Sequence, residues 1–284
     1  MPRTADTAPS LTSLLVHAEP GAAATLRVRS AAELARRSGA RLIGLGAAAL
    51  EPPLACDPYT GQLVAELVTQ MAGALESEIT AAEAAFRRDA AAAPEVEWRC
   101  GQAMPNAALA CEARAADLVV MSAAEGRQAS GYHAADPAQV ALTAGRPVLV
   151  VPEAGAPLEA RRVVIAWKET REARRAVADA LPFLAAAEEV LVLGVCEAAA
   201  ATAVLAQARD VADALSRRGI AARASVATGQ ETDVARTLDA QAAALGADLI
   251  VAGAYGHGRA AEWVFGGVTR DLLKAPARYL LLSH

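Results

Sequence analysis

The chain has 284 residues and a formal net charge of −5; it is 54% hydrophobic, 21% charged and only 4% aromatic. Such a length suits two ordinary domains or one large one, and this balance describes a globular chain rather than a disordered one. The negative charge argues against a broad electrostatic nucleic-acid binder, and the scarcity of aromatics leaves Ala, Val and Leu to build the core.

Residues 1–10 are polar and carry no basic-then-apolar leader, so the chain is expected in the cytoplasm. The run Leu14–Val16 reads as a strand, and Ala22–Ser38 as a helix. Pro52, Pro53, Pro58 and Gly61 punctuate a loop over Glu51–Gly61. Asp117–Val120 and Pro147–Val151 read as further strands. The second is far short of the roughly 20 residues a membrane-spanning helix needs, and no membrane partner is expected. Pro152, Gly155 and Pro157 mark a linker over Pro152–Glu159.

Beyond the linker, strands are expected at Arg162–Trp167, Glu189–Val195, Ala221–Ala227, Asp248–Gly253 and Arg278–Ser283. Helical stretches lie between them, at about 171–187, 203–218, 231–245 and 268–274. Continuous apolar strands alternating with helices predict a parallel sheet covered on both faces, the doubly wound, Rossmann-like α/β class.

The two halves repeat. Leu14–Val16 corresponds to Val163–Ile165, and Ala116–Val120 to Ala247–Val251. The first pair stands 149 residues apart (Leu14 against Val163) and the second 131 (Asp117 against Asp248), so the first half holds extra residues, expected in the Glu51–Gly61 loop. A repeat of this size predicts duplicated domains, 10–152 and 161–284.

Cys56, Cys100, Cys111 and Cys196 form no CxxC pair, and His17, His133, His257 and His284 form no HExxH; the cysteines read as buried or incidental free thiols. No GxSxG elbow, kinase signature or carboxylate pair points to catalysis.

Ligands of doubly wound folds bind beyond the carboxyl ends of the strands, which directs attention to the segment after Val251. Gly253, Gly256, Gly258, Gly266 and Gly267 lie between a strand and a helix start, where backbone N–H groups and the helix dipole can hold an anion. Gly253–Gly258 gives GxxxxG, but Arg259-Ala260 follows in place of the Lys and hydroxyl of a Walker A loop. A dinucleotide fingerprint on Gly256, Gly258 and Ala261 lacks the acid about 20 residues on.

The segment resembles the glycine loop of the universal stress protein family: Gly253, two residues, Gly256, nine residues, Gly266. The likeness spans Arg161–His284 and runs more loosely over 10–152, so the chain resembles a tandem universal stress protein. That resemblance implies two adenine nucleotide alpha hydrolase-like domains, each with a five-stranded, mainly parallel sheet. The final strands, Val148–Val151 and Tyr279–Leu282, are expected to meet across a pseudo-twofold. Further association of chains is left open.

By position the resemblance implies an adenine nucleotide, ATP first, held by Gly253, Gly256, Gly266, Gly267, Val268 and Thr269, with Ala166 and Val195 near base and ribose. His257, Gly258 and Arg259 lie in the same loop; the two polar side chains either contact phosphate or are solvated. Trp167 and Trp263 line an adenine pocket or belong to the core. Thr269 serves a phosphate or its own helix start.

Two residues depart from the family pattern. Gly267 stands where it has Ser or Thr, and Lys168 where the first strand ends in Asp. Lys168 is either a phosphate contact or a surface lysine, and a role for Mg2+ is left open. The first half has Ser122-Ala-Ala-Glu125-Gly126 in place of the glycine pair and Glu19 at the strand-end acid, and is expected to be a non-binding partner. Three functions follow: a nucleotide-binding stress-response protein, a member acting through protein contacts without nucleotide, and a weak ATPase.

Overall fold

The structure, a computed structural model, describes residues 10–19, 22–51, 61–123, 132–154, 156–230, 233–254 and 267–284, with backbone only at 22–23 and 61–63. Short runs rich in Val, Leu and Ile form most of the strands. In the first half these are β1 (Ser13–His17), β2 (Arg41–Ala48), β3 (Glu95–Gln102), β4 (Leu118–Ser122) and β5 (Val148–Val151). In the second they are β6 (Arg162–Trp167), β7 (Glu189–Cys196), β8 (Ala222–Thr228), β9 (Leu249–Gly253) and β10 (Tyr279–Ser283). The intervening helices are α1 (Ala22–Ser38), α2 (Gly61–Asp89), α3 (Pro105–Glu112), α4 (Pro137–Thr143), α5 (Arg171–Asp179), α6 (Leu181–Leu184), α7 (Ala201–Ser216), α8 (Val234–Leu245) and α9 (Gly267–Lys274).

The ten strands of the described residues form one sheet in the order β3-β2-β1-β4-β5-β10-β9-β6-β7-β8. Each five-strand half is parallel within itself. The halves join where β5 and β10 run antiparallel, Leu280 opposite Val150, Leu281 opposite Leu149 and Leu282 opposite Val148. The expected meeting of the final strands is therefore made within the chain. It covers two strand edges that would otherwise present unpaired N–H and C=O groups.

The strands are apolar on both sides because helices cover both faces. On one face Leu14, Val16, Val163 and Ile165 pack with alanines of α1, α5 and α7. On the other, Leu15, Val164 and Ile250 pack with Leu109 of α3, Val140 of α4, Leu238 of α8 and Leu272 of α9. Each fully buried Val, Leu or Ile contributes about 1.5–3 kcal/mol. Both cores run through both halves.

The repeated Asp has a structural role. Asp117 Oδ2 accepts hydrogen bonds from Thr12 N at 2.8 Å, Thr12 Oγ1 at 2.7 Å and Ser13 N at 3.1 Å. Asp248 Oδ2 accepts from Glu159 N at 2.7 Å and Ala160 N at 3.1 Å. In each half the carboxylate thus fastens the chain entering the first strand to the fourth strand beside it. Burial alone would raise the Asp117 carboxyl, but the Thr12 hydroxyl and the two N–H donors hold it below the usual range.

Two sequence expectations are revised. The extra length of the first half does not belong only to the Glu51–Gly61 loop, whose residues 52–60 lie outside the described ones. Much of it is helix, since α2 runs for 29 residues against 16 in α7. The stretch 171–187 is two helices, not one: Pro182 has no N–H to continue the α5 ladder, and the chain turns at Ala180 into α6. Of the two alternatives for the thiols, Cys100 and Cys111 are free and exposed, hence incidental, and Cys196 is free and partly buried. No helix among the described residues is long and apolar enough to cross a membrane.

Candidate functional site

In each half the strand order reverses direction once, between β1 and β4 and again between β6 and β9. At such a switch point the crossover helices diverge to opposite faces and leave a crevice beyond the carboxyl ends of the two strands. The second one is bounded by the end of β6, at Trp167 and Lys168, and the end of β9, at Gly253 and Ala254.

Gly253 is required here by packing. A Cβ on it would lie 2.5 Å from Ala173 N and 2.6 Å from the Glu172 carbonyl carbon, because the first turn of α5 rests directly on the end of β9. That turn is already capped. Thr170 Oγ1 accepts from Ala173 N at 3.2 Å, and the buried Glu172 sits at the second helical position with its carboxylate bonded to Arg171. Burial alone would raise the Glu172 carboxyl; bonds from Arg171 and from the backbone of this turn hold it below its ordinary value. The Glu172 carboxylate stands in the first turn of α5, where the helix dipole favours a negative charge. Beside it, Arg171 Nη2 donates to His284 Nε2 at 3.2 Å, and His284 Nδ1 donates to the Ala254 carbonyl at 3.0 Å.

The other helix facing this end is α9. The chain leaves β9 at its carboxyl end and returns to β10 parallel to it, so α9 runs back along the sheet and opens at the strand ends. Gly267 is exposed, Val268 half-buried and Thr269 buried. A Cβ on Gly267 would meet nothing within 4 Å among the described residues. Ala166 and Val195, near the ends of the paired strands β6 and β7, pack partly against the same core face as Val268. Trp167 points to the opposite face and is 7% exposed, with its indole nitrogen buried and without a hydrogen-bond partner among the described residues. It belongs to the core. Lys168 is exposed.

Ala166, Lys168, Val195 and Gly253 are thus brought to one end of three adjacent strands, with Gly267, Val268 and Thr269 opening the helix on one face. Gly256, His257, Gly258, Arg259 and Gly266 lie outside the described residues, as does Trp263.

The first switch point is built differently. Arg27 of α1, 4% exposed, reaches over the ends of β1 and β4. Its Nε donates to the His17 carbonyl at 2.8 Å, its Nη1 to Ser122 Oγ at 3.1 Å, and its Nη2 to Glu19 Oε2. The buried His17 ring places Nδ1 3.0 Å from Glu19 Oε2 and Nε2 3.2 Å from the Ala47 carbonyl. Burial alone would raise the Glu19 carboxyl, but the Arg27 charge, with help from His17, holds it far below the carboxylate range. The sequence reading placed Glu19 at this position and missed Arg27 and Glu172. The halves' 149-residue offset, which sets Arg27 against Ala176, was the available signal.

No family model and no curated protein matches this sequence. Among solved structures, a universal stress protein from Archaeoglobus fulgidus superposes with a TM-score of 0.69 at 15% identity, over 95% of this chain and 97% of that one. The fold is that of a tandem universal stress protein. A functionally unknown protein from Pseudomonas aeruginosa superposes on the same fold with a TM-score of 0.58 at 14% identity, over 96% of this chain and 92% of that one. The universal stress protein fold is therefore present along the whole chain, and both switch points belong to it.

Proposed function

We propose that this chain is a tandem universal stress protein, with units at 10–152 and 161–284, that binds an adenine nucleotide, ATP first, at the β6/β9 switch point and acts as a regulatory stress-response protein. What carries the reading is a coincidence of fold and motif. The glycine spacing Gly253, Gly256, Gly266 starts at a switch-point strand end and leads into the first turn of α9. A strand end followed by a helix N-terminus is the arrangement that cradles phosphates.

Backbone N–H groups of Gly267, Val268 and Thr269 then donate to phosphate oxygens, and Ala166 and Val195 flank base and ribose. His257, Gly258 and Arg259 stand in the connecting loop. Lys168 adds a positive charge at the end of β6, worth about 1.5–3 kcal/mol as a charge-assisted contact. A lysine stands at that position and the Glu172 carboxylate is bonded to Arg171, and the reading does not depend on Mg2+.

Calorimetric titration of the full chain with ATP, with and without Mg2+, tests it. A binding isotherm is expected, and Gly256→Asp should weaken it more than about 100-fold by setting a carboxylate against the phosphates. No heat and no melting shift at millimolar ATP would leave the protein-contact reading in its place. Retained affinity in Gly256→Asp would move the site elsewhere. Hydrolysis above background, lost in the same variant, would favour a weak ATPase.

A further inference from the structure

We propose that Arg27 decides which of the two switch points takes a ligand: its guanidinium, tied to His17, Glu19 and Ser122, fills the first switch point from within. The ligand arm of this inference rests on the nucleotide reading above; the structural arm does not.

Three of the five N–H donors of the guanidinium are engaged, by groups from three places around the crevice. The His17 carbonyl ends β1, the Glu19 carboxylate follows it, and the Ser122 hydroxyl ends β4. Arg27 is buried and its partner Glu19 only partly exposed, so the pair closes the space between the strands with a planar cation of its own. At the corresponding positions of the second half stand Ala166 for His17, Lys168 for Glu19, Ala176 for Arg27 and Gly253 for Ser122. Ala176 is 1% exposed and has no side chain long enough to reach the strand ends.

An anionic ligand entering the first crevice would have to separate Arg27 from Glu19 and then face the freed carboxylate. Breaking a buried ion pair at one partner is costly enough to lower affinity by more than about 100-fold.

Hydrogen–deuterium exchange on the full chain, with and without ATP, tests the ligand arm. Protection is expected at 166–168, 253–254 and 267–269, with 17–19 and 122–123 unchanged; protection at 17–19 and 122–123 overturns the proposal. If ATP protects neither set, the nucleotide reading fails, and the plug is judged by melting alone. Arg27→Ala is expected to lower the Tm by roughly 5–10 °C, and millimolar methylguanidinium to restore part of it in the variant while leaving the wild type unmoved. A wild-type Tm in Arg27→Ala, or a lowered one that methylguanidinium does not raise, overturns the proposal. Should Arg27→Ala fail to fold, Arg27→Lys keeps the charge but cannot reach all three acceptors. A smaller Tm loss supports the plug and a wild-type Tm overturns it.

Discussion

At the ends of β1 and β4 the chain surrounds one buried guanidinium with a carbonyl, a hydroxyl and a carboxylate. At the ends of β6 and β9, in the same backbone setting, it places Ala166, Gly253 and an exposed Lys168, with Ala176 beneath. The first crevice uses its polar groups on one another. The second holds small residues and leads into a glycine-rich segment. Duplication of a doubly wound fold supplies two equivalent crevices, and a handful of side chains decides what each is for. Even the closest common feature, the residue ending β4 or β9, differs for a physical reason: α5 presses on Gly253, whereas Ser122 has room for a side chain that helps hold Arg27.

Exchanging these two residues strains the comparison most. Gly253→Ser should destabilise the chain by about 2–3 kcal/mol, because the new Cβ meets the α5 backbone rather than a movable side-chain end. Ser122→Gly should cost less, about 1.5 kcal/mol, the low end for one hydrogen bond from a charged group. Urea unfolding midpoints measure both, and equal losses would mean that the α5 contact does not require glycine.

The paired aspartates come next. Asp117→Ala should cost about 2 kcal/mol and Asp248→Ala somewhat less, since the first carboxylate accepts three hydrogen bonds and the second two. Because Asp117 has a lowered carboxyl pKa in the fold, its stabilisation is fully present above the unfolded value near 4 and disappears as pH falls through the folded one. Asp117→Ala should therefore flatten the acid side of the stability curve. An unchanged acid slope would assign that dependence to other carboxylates, Glu19 first among them.

The smallest effect is expected at Gly267. No described residue crowds its missing side chain, so Gly267→Ser should fold normally and add a hydroxyl at the start of α9. If phosphates bind there, ATP affinity should rise roughly 3–10-fold, about the net contribution of one hydrogen bond. Unchanged affinity would separate the ligand from this helix.

The second half was legible in the sequence almost strand by strand, because β6, β7, β9 and β10 are continuous apolar runs with helices between them. The middle of the first half was not. Strand β3 is an edge strand with Glu95, Glu97 and Arg99 along it, and its exposed residues remove the apolar signal. In α2, Leu67 and Val68 are exposed, so the apolar content of the helix does not mark its buried face. The site was legible as glycine spacing and as strand ends, and Trp167 proved to face the core.

By itself the sequence determined the duplication, the α/β class and the glycine spacing, since these are written in local periodicity and in residue types that constrain backbone; the meeting of the final strands was implied only by the family resemblance. Only the tertiary structure decided that Asp117 and Asp248 are clamps, that Gly253 is demanded by α5, and that Arg27 lies across the first switch point. Each of those depends on groups far apart in the chain meeting at a strand end, and no local pattern encodes such a meeting.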